Sequence, residues 1–333
     1  ITGGGAADTI TGGAGADIID SGAGADIIII TTSGEADSDV IDGGADSDVL
    51  KLSTGSADTF STDNKLVNVE TLQAHASGSQ VVLTGQTEAF TITGGASADN
   101  ITGGSGIDTI TGGGAADTIT GGAGADIIDS GAGADIIIIT TSGEADSDVI
   151  DGGADSDVLK LSTGSADTFS TDNKLVNVET LQAHASGSQV VLTGQTEAFT
   201  ITGGASADNI TGGSGIDTIT GGGAADTITG GAGNDIITVD VGTDTVLDLG
   251  GSSGGESDVV IVNSGATLNA TGIVSFTAGG STVNNGGAAA NAVLAARSSG
   301  ATINVSGAGS GDFTITGGAG ADILTGGAGA DII

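Results

Sequence analysis

The chain has no cysteine, methionine, tryptophan, tyrosine or proline, and only five lysines and arginines among 333 residues. The lack of cysteine excludes disulfide staples and thiolate chemistry and leaves the redox compartment open. The scarcity of basic residues argues against binding nucleic acid, whose phosphates call for Lys and Arg, and against docking on an anionic membrane. No apolar run is long enough for a transmembrane helix, and no basic stretch followed by an apolar core opens the sequence as a classical signal peptide would. What is present is equally one-sided: 42 acidic residues give a formal net charge of −37, and 65 residues are glycine. High charge with few aromatics usually accompanies disorder, but Ile, Val and Leu recur here at regular intervals. Thin, repeated apolar layers fit that pattern better than one large core.

Residues 1–124 are repeated without change as residues 110–233, and the identity ends where Ala125 meets Asn234. Two textures alternate. Nine-residue units fill 3–29, 94–138, 203–238 and 317–333, and the looser "GGADSDVLK" follows at 43–51 and 152–160. A non-repeating insert begins "DTFSTDNKLVNVE" at 58 and again at 167. The expected organisation is a roll over 1–57, a β insert over 58–93, a roll over 94–166, a second insert over 167–202, a roll over 203–248, a Ser/Gly/Ala-rich β segment over 249–311, and a further roll beginning at 312–333. In the 249–311 segment, "ESDVVIV", "GIVSFTAG" and "ATINVSG" read as short strands. The alanines around Ala288–Ala296 suggest one short helix. Because the sequence starts and stops inside repeats, it reads as part of something longer.

A unit such as "GGAGADIID" at 121–129 dictates its own geometry. Gly121 and Gly122 open a tight turn and Asp126 closes it. Ile127 and Ile128 then begin a strand, for which β-branched residues are suited. Ile101, Ile110, Ile119, Ile128 and Ile137 occupy the inward position of successive units. Three residues do not make a stable strand alone, so the units must stack. Two units make one coil of about 18 residues, and coils stack at about 4.8 Å as parallel strands do. The expected fold is therefore all-β: a parallel β-roll, or β-helix solenoid, with Gly/Asp turns and β-rich inserts. A helix is excluded, because nine is a poor helical period and glycine breaks helices.

Stacking places Asp108 and Asp126 on one edge and Asp117 and Asp135 on the other. Two like charges about 5 Å apart repel by about 1 kcal/mol in bulk water and by several at an effective dielectric near 20. Near neutral pH a cation between them resolves this better than protonation. Glycine turns let backbone carbonyls point inward beside the carboxylates, giving an all-oxygen cage. Such a cage suits Ca²⁺, whereas Mg²⁺ demands a stricter octahedron and zinc prefers His or Cys. Calcium is thus expected to be part of the fold, its binding free energy becoming folding free energy.

The units "GGAGADIID" at 121–129, "GGSGIDTIT" at 103–111 and "GGAGNDIIT" at 230–238 resemble the repeats-in-toxin (RTX) nonapeptide G-G-x-G-x-D-x-U-x. The resemblance implies that the Asp at position six ligates calcium and that turn carbonyls complete the shell. It assigns this role to Asp8, Asp17, Asp26, Asp99, Asp108, Asp117, Asp126, Asp135, Asp208, Asp217, Asp226, Asp235, Asp322 and Asp331. Several units depart from the pattern. Ala6, Ala115, Ala224, Ser97 and Ser206 replace the second-half glycine; Ser21 and Ser130 replace the first; Asp46 and Asp155 stand at a glycine position. Those units are expected to bind weakly or to take a different backbone path, and units at the ends of a stack to hold incomplete sites.

Other residues invite stronger readings than they support. His75 and His184, duplicates within "LQAHASG", fit exposed or edge positions better than metal or catalytic roles. Glu70 and Glu179 read as solvent-facing carboxylates, with an extra calcium ligand or an inter-segment hydrogen bond as the alternative. "IIII" at 27–30 and 136–139 reads as a buried strand, or as one packed on an insert or another subunit. Nothing forms a serine-hydrolase constellation or a phosphate loop, and carboxylate pairs of the glycosidase kind lose meaning among 42 acids.

RTX repeats occur in type I-secreted toxins, proteases, lipases, adhesins and surface-layer (S-layer) proteins. Repeat blocks broken by Ser/Thr/Ala-rich strands, with "LVNVETLQA" at 66–74, resemble the S-layer members most. The resemblance implies a non-enzymatic, calcium-dependent, self-assembling protein of the bacterial cell surface, with a possible polysaccharide anchor in a region beyond this sequence. The alternatives are a calcium-rigidified adhesin stalk or binding module, and the non-catalytic repeat region of an exported enzyme or toxin.

Overall fold

A strand of three residues is held by the strands on either side, and this sets the architecture seen in the computed structural model. It describes all residues except 33, 35, 56, 142, 165, 251–255, 279–281, 285–291 and 297–300. The chain divides into two units, Ile1–Lys160 with Lys174–Val178, and Leu161–Asn173 with Glu179–Ile333.

In the first unit, successive strands alternate between sheets. One sheet contains Thr9–Thr11, Ile27–Ile30, Val49–Leu52, Thr71–Gln73, Thr91–Thr93, Thr109–Gly114, Ile127–Ala132, Val149–Asp151 and Leu175–Val176. Facing it along the chain are first Thr2–Gly4, Ile18–Gly22, Val40–Asp42 and Leu66–Val67. Ala57–Thr59, Gln80–Val82, Asn100–Thr102, Thr118–Thr120 and Ile136–Ile139 follow. All pairing is parallel. In the strict repeats Thr109 pairs with Ile127 and Thr118 with Ile136, one coil of 18 residues each. The fold is the expected parallel β-solenoid.

The inward isoleucines form the core. Ile101, Ile110, Ile119 and Ile137 are fully buried and Ile128 nearly so. The insert over 58–93 adds rungs to the same sheets with longer coils: Leu50 pairs with Leu72, and Leu72 with Ile92. Its extra length is absorbed in loops closed by buried groups. Gln86 Nε2 donates to the Phe60 and Thr62 carbonyls at 3.2 and 2.8 Å, under a buried Phe60. The "IIII" strands are buried on one face only: Ile28 and Ile30 point inward, Ile27 and Ile29 are half-buried.

The second unit repeats the plan. One sheet runs from Ala166–Thr168 through Asn209–Thr211, Gly242–Val246 and Ala266–Ile273 to Thr314–Thr316; another contains Thr200–Thr202, Thr218–Thr220, Ile236–Val239 and Val259–Val262. A third has Ser275–Thr277, Thr302–Asn304 and Ile323–Thr325. The three strands read in the 249–311 segment are present. The expected helix is not: Ala292–Ala296 is a strand, and the rest of that stretch, 288–291, lies outside the described residues. Ala292 and Leu294 are buried while Val293 is half-buried, a period of two. Pairing with Ala266–Ile273 on one side and Thr314–Thr316 on the other outweighs the helix propensity of alanine.

Candidate metal centre

Each turn aspartate reaches along the stack. Asp126 Oδ1 accepts the Asp108 N–H at 2.8 Å, and Asp148 Oδ1 accepts the Asp126 N–H at 2.9 Å. On the other edge Asp99 donates to Asp117, Asp117 to Asp135, and Asp135 to Asp157, each at 2.7 Å. The second unit contains the rows Asp208, Asp226, Asp244 and Asp217, Asp235, Asp258, at 2.8–2.9 Å. Stacking thus brings the aspartates together as expected, and a backbone N–H from the preceding coil lies at every step.

These carboxylates are removed from water. Asp26, Asp108, Asp126, Asp135 and Asp217 are fully buried, and Asp99, Asp117, Asp208, Asp226 and Asp235 nearly so. Asp8, Asp17, Asp322 and Asp331 are half-buried. The second oxygen divides the set. In Asp8, Asp99, Asp108, Asp208, Asp217 and Asp331 it accepts the N–H of the glycine four residues earlier, at 2.5–2.9 Å. In Asp17, Asp26, Asp117, Asp126, Asp135 and Asp226 the buried Oδ2 has no hydrogen-bond partner.

Leaving a charged oxygen so placed is costly, and the acidities register it. Burial pushes Asp117 up to about 6, against the pull of the Asp99 N–H, and the charges of Asp135 and Asp99 add to the rise. Burial likewise raises Asp126 and Asp226 to about 6. Asp235 rises to about 7 through burial, with Asp258, Asp217 and Asp248 adding. Asp148 also reaches about 7, through burial with Asp126 and Glu144 adding and Lys174 opposing.

The turns leave room only for oxygens. A Cβ on Gly121 would lie 2.4 Å from Asp126 Oδ2, and one on Gly122 would lie 2.0 Å from the Gly104 carbonyl oxygen of the neighbouring coil. Gly122 also has φ +110, a conformation that L side chains rarely adopt. Among the described residues no three His, Cys, Asp or Glu gather as a metal cluster. The available donor set is one carboxylate per turn with backbone carbonyls, the hard-oxygen chemistry that suits calcium.

Family comparison agrees with this geometry. The model of the RTX calcium-binding nonapeptide repeat (4 copies) matches residues 1–28, 33–56, 91–110, 102–137, 142–165, 200–219, 211–246 and 308–333, more than half of the chain. The chain belongs to the RTX calcium-binding nonapeptide repeat family. No curated protein matches it. The RTX repeats bind calcium, and RTX repeat regions are generally non-catalytic modules of secreted proteins.

Some departing units of this RTX chain keep the positive-φ path at a cost, whereas Ala6, Ser97 and Ser206 leave it. Ala115 and Ala224 stand at φ +68 and +75, and Asp46 and Asp155 both at +81. Each such residue costs about 1–2 kcal/mol. Ser21 and Ser130, where the first glycine belongs, are fully buried and donate Oγ to the Gly43 and Gly152 carbonyls at 2.6 Å.

Asp48 and Asp157, at position six of the looser units, and Asp39, Asp148, Asp244 and Asp258, outside the strict nonapeptide pattern, also continue the rows. They accept the N–H of Asp26, Asp135, Asp17, Asp126, Asp226 and Asp235 respectively. Asp followed two residues later by Val, Ile or Leu was the available signal. Glu70, exposed as expected, also makes the alternative inter-segment bond: its Oε2 ends a row by accepting the Asp48 N–H at 2.8 Å. His75 is half-buried, with Nδ1 2.7 Å from Ser77 Oγ. Asp58 opposes Val81 in the inward register and is fully buried, and burial lifts it to about 6.

Proposed function

We propose that this chain is a calcium-rigidified, non-catalytic repeat module of an exported protein, working as a stalk or binding module at the cell surface. In this reading Asp8, Asp17, Asp26, Asp99, Asp108, Asp117, Asp126, Asp135, Asp208, Asp217, Asp226, Asp235, Asp322 and Asp331 hold the ions with the turn carbonyls. One observation carries it: the buried Oδ2 atoms of Asp117, Asp126, Asp135 and Asp226 lack a hydrogen-bond partner at turns walled by glycine and carbonyl oxygen. Calcium, when bound, supplies the positive charge these rows lack. The residues themselves fix the coil spacing through Oδ1, keep side chains out of the turns and hold the second oxygen away from water.

Chelator titration followed by far-UV circular dichroism and small-angle scattering tests the reading. Removal of calcium is expected to unfold or expand the chain, with refolding on calcium addition. Unchanged spectra and dimensions would remove calcium from the architecture. A second reading, a self-assembling S-layer protein, is favoured by exposed apolar side chains on the outer surface, among them Ile18 (72% exposed) and Ile107 (59%). Electron microscopy of calcium-loaded protein over a concentration series separates the two. Ordered two-dimensional arrays support the S-layer, and monomers at every concentration support the module.

A further inference from the structure

Each unit carries the same polar cleft on the outer face of a sheet, about 490 Å³ in the first and about 480 Å³ in the second. The first residues of successive strands line it in register: Ala57 beside Gln80, Gln80 beside Asn100, Asn100 beside Thr118. The second unit repeats this with Ala166, Gln189, Asn209 and Thr227. Three strand-to-strand steps of about 4.8 Å make a trough about 14 Å long. Small residues, Ala57, Gly78 and Ala98, leave it open.

The polar groups in the trough are free to act. Gln80 and Asn100 are exposed and Thr118 half-buried, and among the described residues no hydrogen bond engages their side-chain amides or hydroxyl. Two amides and a hydroxyl, each both donor and acceptor, thus stand in a row. The wall beside them is fixed. Buried Asp99 accepts the N–H groups of Ser79 and Gly95, and Ser77 Oγ is held by His75.

The lining also says what the cleft rejects. Among the described residues no Lys, Arg or His contributes, so an anion finds no counter-charge there; no large apolar side chain among them contributes, so a lipid or an apolar peptide side chain finds no pocket. Gln80–Val82 and Asn100–Thr102 are paired on both sides, so an extended peptide finds no edge along the trough; the sheet edge lies only at its end, on the three-residue strand Ala57–Thr59. A row of neutral donors and acceptors at regular spacing matches a neutral polyhydroxylated chain. We infer that the two clefts bind a neutral oligosaccharide, through Gln80, Asn100 and Thr118 in one unit and Gln189, Asn209 and Thr227 in the other. With no Trp or Tyr in the chain to stack on a sugar ring, each site is weak, with a Kd on the order of a millimolar. Two sites per chain add avidity on a multivalent glycan surface.

The inference deepens the binding-module reading and rests on it. Its test uses the calcium-loaded full chain and saturation-transfer NMR with maltotriose, cellotriose, mannotriose, chitotriose and trigalacturonate. At least one neutral trisaccharide is expected to bind. The variant Gln80→Ala/Asn100→Ala/Gln189→Ala/Asn209→Ala should weaken that binding about tenfold or more while the circular dichroism spectrum stays unchanged. Should that variant misfold, Thr118→Val with Thr227→Val should weaken binding several-fold. Absence of neutral binding at about 20 mM, binding of trigalacturonate alone, or undiminished binding by the folded variants would overturn it. Such a failure with calcium-dependent folding intact sinks the cleft alone; a chain indifferent to chelation sinks the module reading instead.

Discussion

Replacing Asp126 by Asn separates the two jobs assigned to a turn carboxylate. Oδ1 accepts the Asp108 N–H at 2.8 Å, which Asn preserves. Oδ2 is buried without a partner, and burial lifts the acid from 3.8 to about 6. About two pKa units correspond to about 3 kcal/mol spent, at pH 7.5, in keeping the charge in the calcium-free fold. The Asn amide returns part of this through its own unmatched N–H, about 1–2 kcal/mol, so the calcium-free variant should gain about 1–2 kcal/mol. With calcium the sign reverses. A site saturated at a hundred times its Kd contributes about 2.7 kcal/mol, which the variant forfeits. Urea denaturation at pH 7.5, followed by circular dichroism in chelator and in calcium, reads both arms, with an osmolyte added to both to keep the calcium-free baseline folded. Asp126→Ala loses the Oδ1 acceptor as well and should be destabilised in both conditions. Equal destabilisation of Asp126→Asn with and without calcium would refute the division of labour between the two oxygens.

Calcium-free protein should also lose stability as pH rises. The folded state holds protons that the unfolded state has released between about pH 4 and pH 7, because Asp117, Asp126 and Asp226 titrate at about 6 and Asp148 and Asp235 at about 7. Chemical denaturation in chelator should therefore give its highest midpoints near pH 4 and a plateau above pH 7; calcium titrations should show affinity falling as pH drops from 7 to 5. Ala115→Gly should stabilise by about 1 kcal/mol by relieving φ +68, and Gly122→Ala should cost at least about 2 kcal/mol, both measured by denaturation in calcium. Asp58→Val, which matches its neighbour Val81, should raise the thermal midpoint at pH 8 by removing a buried charge worth up to about 3 kcal/mol.

Where the repeat is strict, the strand, the inward isoleucine and the stacking of Asp108 on Asp126 were all legible, because nine-residue periodicity leaves no other packing. Legibility faded where spacing varied. Asp148 and Asp258 join the rows across coils of 22 and 23 residues, so a fixed period passes over them. The stretch ending at Ala296 read as helix because alanine propensity is local, whereas the strands that capture Ala292–Ala296 come from elsewhere in the chain. Asp58 was hidden for the same reason: only register reveals that a carboxylate occupies a core position. The hydrogen bond from each Asp N–H to the next Asp was invisible to composition, which sees charge but not direction.

That direction gives the stack a grammar. The position-six aspartates of the strict units from Asp8 to Asp235 offer their N–H to an acceptor 18–23 residues downstream, so in these rows each coil is completed by the one that follows it in sequence. A chain emerging amino-terminus first through a narrow passage always trails one coil whose amide awaits its acceptor. Closure is thus retrospective, and the two faces of a cut solenoid differ in chemistry: loss of a downstream coil uncovers an amide donor, while loss of an upstream coil uncovers a carboxylate acceptor.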